Sequence, residues 1–118
     1  MNQLAELLTK AFHQNASDIH LTVGSVPIFR IDGRLVPYKS NVIQPEDTKE
    51  MARSIVSDKL WERLEQEREI DLSHGIAGVS RFRVNIFYQR NNLSLAIRVI
   101  PIAIPSLEEL ELPEVLKK

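Results

Sequence analysis

Two neighbouring stretches of strict two-residue periodicity limit what this chain can fold into more than any other feature. In residues 79–89, Phe82, Val84, Ile86 and Tyr88 fall on one side, while Arg81 and Arg83 fall on the other. In residues 93–100, Leu93, Leu95, Ile97 and Val99 repeat the pattern, with Arg98 on the opposite side. Side chains alternate faces along a strand, so both runs read as strands with one buried face. Asn91-Asn92 between them can supply the positive φ of a tight turn, which predicts a hairpin. Matching the two buried faces leaves two nearby registers. One sets Arg83 directly opposite Arg98; the other makes them diagonal neighbours. In both, like charges share one face. That is unfavourable unless solvent, a carboxylate such as Asp71, or an anion relieves it.

The rest of the chain supplies elements to cover the apolar side of that hairpin. Leu4, Leu7, Leu8, Ala11 and Phe12 follow helical spacing. Asp18-Ile-His-Leu-Thr-Val23 alternates, with Ile19, Leu21 and Val23 on one face, and Gly24-Ser25 ends it. Ile28-Phe-Arg-Ile31 and Leu35-Val36 flank Asp32-Gly33, a second hairpin signal. Pro45-Glu46-Asp47 opens a helix, because proline is pre-set for its first turn and acids suit the positive end of its dipole. Met51, Ala52, Ile55 and Val56 form the buried stripe of that helix. Ser57 caps another helix bearing Leu60, Trp61 and Leu64. Ile70-Asp-Leu72 reads as a short strand, and Gly75 and Gly78 bracket a turn. The order is helix, three strands, two helices, three strands. Short connections favour an antiparallel sheet of about six strands with helices packed on one face. The fold class is α+β, close to a PAS-like domain, over residues 1–104. From residue 105 to 118 the pattern changes to a linker, with Ser106-Leu-Glu-Glu-Leu-Glu-Leu-Pro113 resembling a short capped helix.

Composition excludes several functions. The chain has 118 residues, a size suited to one domain, and no cysteine, which removes disulfides and thiol chemistry. Fifteen basic against sixteen acidic residues give a net charge of −1, without the basic excess of a nucleic-acid module. No apolar run approaches the roughly 20 residues of a membrane span, and Glu6 and Lys10 break up any signal-peptide core. The expectation is a soluble protein. His13, His20 and His74 have no helical metal-pair spacing, so no metal site is expected. Asp18 and His20 share a strand face and read as a hydrogen-bonded structural pair. Gly24 and Gly33 are too isolated to cradle phosphate, and Glu108-Glu109 reads as a solvated face. The sequence offers no catalytic residue of its own.

Six motifs in order carry a resemblance. They are Ala16-Ser-Asp-Ile-His-Leu21, Arg30-Ile-Asp-Gly33, Glu69-Ile-Asp-Leu-Ser73, Arg81-Phe-Arg-Val-Asn85, Ala96-Ile-Arg-Val-Ile-Pro101 and Ser106-Leu-Glu-Glu-Leu110. Over residues 4–116 the chain resembles the N-terminal domain of type IV pilus retraction ATPases of the PilT kind. These belong among the secretion and twitching-motility ATPases. A start at Met1 fits that branch, since extension and secretion relatives usually carry earlier domains. The resemblance implies a PAS-like domain joined by a linker to a RecA-like ATPase core that holds ATP and Mg. It also implies a homohexamer, cytoplasmic and peripheral to the inner membrane, working with the pilus platform protein there. The Walker motifs of such a core are absent from this sequence, so hydrolysis is not expected of it. By motif, Arg83 and Arg98, with Arg81 as a third, match arginines that reach nucleotide phosphates when the domains close. Family linkers often carry glycine before the tail proline, where this chain has Glu111. A small-ligand sensor and a pure assembly module are the rival expectations.

Overall fold

A computed structural model describes residues 3–100. The domain boundary at residue 104, the linker from 105 and the short helix expected from Ser106 lie outside the described residues. The elements are α1 (Gln3–His13), β1 (Ala16–Leu21), β2 (Ile28–Ile31), β3 (Arg34–Pro37), α2 (Pro45–Arg53), α3 (Asp58–Glu67), β4 (Glu69–Ile76), β5 (Ser80–Gln89) and β6 (Asn92–Ile100). The six strands form one antiparallel sheet in the order β3-β2-β1-β6-β5-β4. This is the α+β, PAS-like arrangement anticipated from the alternating patterns.

Each helix starts and stops for identifiable reasons. Leu4, Leu7, Leu8 and Ala11 give α1 one buried stripe, and Asn15 at φ 63° turns the chain into β1. Pro45 pre-sets the first turn of α2, and the Asp47 carboxylate accepts from the backbone N–H of Gln44 at 2.8 Å. In α3 the Ser57 hydroxyl accepts from the Leu60 N–H at 3.3 Å, and Arg68 ends the helix in the left-handed region at φ 67°. Against the sheet, α1 packs on β1, α2 on β6 and α3 on β4.

All three helices therefore cover the same side. Their stripes meet Ile19, Leu21, Phe29, Phe82, Val84, Ile86, Leu93, Leu95 and Ile97 in a single core. The opposite side of the sheet carries no helix from the described residues. That asymmetry places Ala96 and Arg98 of β6 and Arg81, Arg83 and Asn85 of β5 on a face that no described helix covers.

Five local expectations need correction. The β5–β6 turn uses Arg90 at φ 53° and Asn91 at φ 67°, while Asn92 already pairs with Gln89 in the ladder. β1 ends at Leu21, so Val23 lies in the following turn. α2 ends at Arg53; Val56 is buried beyond it and Ile55 half-buried, filling the corner before α3. β4 runs eight residues instead of three. Gly75 lies within β4 opposite Arg81, and the turn is built around Gly78 at φ 77° alone. The Asp32-Gly33 hairpin stands as expected, with φ 53° and 79°.

His74 illustrates how the longer β4 changes a reading. It pairs with Phe82 on the core side of an edge strand and is half-buried, and that burial holds its imidazole below its ordinary value. The unfolded chain then binds the proton first, so stability falls as pH drops through the interval beneath 6.5. Between about pH 5 and 8 the stability difference between the natural chain and His74→Gln should carry this slope, measured by urea melts. A pH-independent difference would remove the burial effect. For the core, Phe82→Ala should cost about 3–5 kcal/mol, because it empties a fully buried site. Leu35→Ala, at a position 58% exposed, should stay within about 0.5 kcal/mol.

Candidate functional site

Pairing across the sheet fixes what stands on the uncovered face. The ladder sets Arg83 opposite Arg98, Arg98 opposite Asp18, and Asp18 opposite Arg30, with Ser73 on the far side of Arg83. Of the two registers open from the sequence, the structure takes the one with the arginines directly opposed. The next row reads Ile28, His20, Ala96, Asn85 and Asp71. Together these two rows enclose a shallow depression of ≈ 320 Å³ that includes Asp18, His20, Asp71, Arg83, Asn85 and Arg98.

The carboxylate that relieves the arginines is Asp18, not Asp71. Asp18 Oδ1 lies 3.5 Å from Arg98 Nε, and Oδ2 lies 3.8 Å from Arg30 Nε. The Ser17 hydroxyl also donates to Asp18 Oδ2 at 2.8 Å. A register shift between Ala16 and Asp18 leaves Ser17 outside the β1–β2 ladder, and Asp18 pairs with Arg30 on one side and Arg98 on the other. Asp71 is engaged elsewhere: the Asn85 amide donates to it at 3.3 Å and to Glu69 at 3.0 Å. The expected Asp18–His20 hydrogen bond is also absent among the described residues, because both Asp18 oxygens face the arginines.

The three arginines singled out by motif differ in their surroundings. Arg83 makes no ion pair with any described residue. Arg98 is held only at Nε, with its side chain 74% exposed. Arg81 crosses to β4, lies over Gly75 and donates to the Ser73 hydroxyl at 3.1 Å. Arg81 is thus tied to the sheet edge, while Arg83 and Arg98 present free N–H groups side by side. Arg30 joins them through Asp18 and was missed as a site residue. Its signal was available only as the arginine before Asp32-Gly33 on the outer side of β2. Among the described residues no group of three or more His, Cys, Asp or Glu could hold a metal ion. No helix among them is long and apolar enough to cross a membrane.

Chemically, such a face can bind a multiply charged anion. Guanidinium groups offer planar two-point contacts to phosphate oxygens.

Comparison with known proteins places the chain in a wider group. No family model matches the chain. It is 34% identical over 116 residues to the type IV pilus ATPase PilU of Pseudomonas aeruginosa, covering 98% of this chain and 30% of that protein. It is also 34% identical over 115 residues to the type IV pilus retraction ATPase PilT of the same organism, covering 98% and 33%. A crystal structure of the pilus retraction motor PilT with bound ADP superposes with a TM-score of 0.80 and 42% identity, covering 97% of this chain and 33% of that one. The chain thus spans about a third of the length of its relatives. It is homologous to the N-terminal domain of the pilus motor ATPases.

The exposed arginines and the buried core should respond differently to truncation. Arg83→Ala should leave stability within about 0.5 kcal/mol, or raise it slightly by removing a like charge. Asp18→Ala should lower it by roughly 0.5–1 kcal/mol, since Arg30 and Arg98 lose their shared partner. Denaturant melts of both variants check this, and a loss above about 1 kcal/mol for Arg83→Ala would make that side chain structural.

Proposed function

We propose that this chain is the N-terminal domain of a hexameric pilus-retraction ATPase, and that Arg83 and Arg98 contact nucleotide phosphates held by the ATPase core. The observation that carries the reading is the direct opposition of two exposed arginines, of which Arg98 shares the Asp18 carboxylate with Arg30 while Arg83 pairs with no described carboxylate. A fold gains nothing for its own stability from setting Arg83 opposite Arg98, whereas a phosphate would satisfy both.

In this reading the chain supplies recognition and the core supplies chemistry. ATP and Mg would sit on a RecA-like domain of the full-length protein, a reading supported by the greater length of the relatives, of which this chain spans about a third. Phosphate on the core draws the arginine face inward, and its loss after hydrolysis releases it. Hydrolysis thereby becomes domain movement. Arg81, bound to Ser73, is a third contact that would have to leave its partner. The protein would work in the cytoplasm, at the inner membrane beside the pilus platform protein, as a homohexamer. Neighbouring subunits can share the same face, so an assembly role and a phosphate role are compatible. A small-ligand sensor is disfavoured, because the inward positions are filled by Phe82, Val84, Ile86 and Ile97, all at most 2% exposed.

The test is turnover in the full-length protein. Arg83→Ala and Arg98→Ala should each lower ATP hydrolysis steeply; removal of a trans-acting arginine costs about 10³–10⁵ in well-studied cases. Arg→Lys should recover only part of the loss, since an ammonium makes no planar two-point contact. Folded hexamers with normal turnover would leave the phosphate reading without support.

A further inference from the structure

We infer that Asp18 is a built-in competitor for the anion that Arg83 and Arg98 bind, so that only a multiply charged phosphate can claim the full arginine face. This rests on the phosphate-contact reading above, and it names what regulates that site.

The geometry of Asp18 is that of a carboxylate placed deliberately among cations. It follows a register shift in β1 at Ser17, and the Ser17 hydroxyl donates to its Oδ2 at 2.8 Å. Its side chain is 20% exposed, against 74% for Arg98 and 42% for Arg30. Asp18 meets each arginine at Nε, at 3.5 Å and 3.8 Å, while a terminal nitrogen of Arg30 donates to the Gly33 carbonyl at 3.4 Å, so neither pair is a two-point contact. Asp18 therefore neutralises without saturating. Long single-point ion pairs between exposed groups are weak and easily displaced. A monovalent anion offers no more than the carboxylate already present. A polyphosphate brings several charges and several oxygens, and it can engage Arg83, which has no acidic partner among the described residues, while displacing Asp18 from Arg98. The face is thereby kept unresponsive to ordinary salt and tuned to high local charge.

Asp71 makes the inference testable, because it lies in the same depression but bonds to Asn85 and forms no ion pair with a described arginine. The experiment measures the affinity of this 118-residue chain for inorganic tripolyphosphate by calorimetry. Asp18→Asn should tighten binding about three- to tenfold. Asp71→Asn removes an equal charge from the same face and should change it by less than about twofold. Adding Arg98→Ala to Asp18→Asn should abolish the gain. Equal gains from the two Asp variants, or none from Asp18→Asn, would overturn the inference. A measurement on the unsubstituted chain guards against misfolded variants. In NMR titrations with tripolyphosphate, the Asp18 carboxyl carbon and the Arg98 Nε signals should move together, and a stationary Asp18 beside a shifting Arg83 would also overturn it. Turnover of the arginine variants separates the two ideas. If they lose turnover while Asp18→Asn gives no gain, only the competitor role fails. If they turn over normally, the phosphate reading fails whatever Asp18 does.

Discussion

The register of β5 against β6 is the constraint on which the rest depends. On the core side it pairs Phe82 with Val99, Val84 with Ile97 and Ile86 with Leu95. Slipping one strand by a single residue would drive Arg98 or Arg83 under the helices, and an unpaired buried charge costs far more than the whole domain can spare. Hydrophobic burial, not attraction between polar groups, thus holds two arginines against each other on the outer side. Because β6 also pairs with β1, the same register carries Ile97 to Ile19 in the core and Arg98 to Asp18 outside. Core and charged face are two sides of one alignment.

Much of this was legible in the sequence because alternation is a strong signal over eight to ten residues. The strands, the helix stripes and the arginine side of β5 and β6 follow from it. The turn did not. Asn91-Asn92 looks the better two-residue turn, since arginine has no preference for positive φ. Yet that turn belongs to the diagonal register, which would set Phe82 opposite Pro101, a residue without an N–H for the ladder. The structure instead places Arg90 and Asn91 at positive φ and brings Gln89 against Asn92. Tertiary pairing overrode local preference.

Asp18 was unreadable for a different reason. It stands 80 positions before Arg98 in sequence, and nothing local predicts that β1 inserts between β2 and β6. Asp71 was the natural guess, because β4 neighbours β5 through a short turn. What defeats it is Asn85, which shares its face and takes the Asp71 carboxylate for itself. Hairpin neighbours can be inferred from spacing. Partners across a non-local pairing, and the side chains that intercept them, cannot.

The uncovered face shows how one group can be nearly inert alone and strong when covered. In open water two charges about 4 Å apart interact by about 1 kcal/mol, and at an effective dielectric near 20 by about 4 kcal/mol. Exposed as they are, Arg83 and Arg98 disturb the folded chain little, and Asp18 suffices to steady the row. If a second domain covers the face and excludes water, the repulsion between the arginines grows severalfold, and so does their attraction to any phosphate brought with it. Closure without an anion then becomes unfavourable, and closure with one becomes favourable. Under the proposed function the same two side chains would oppose or favour closure according to what the facing surface holds.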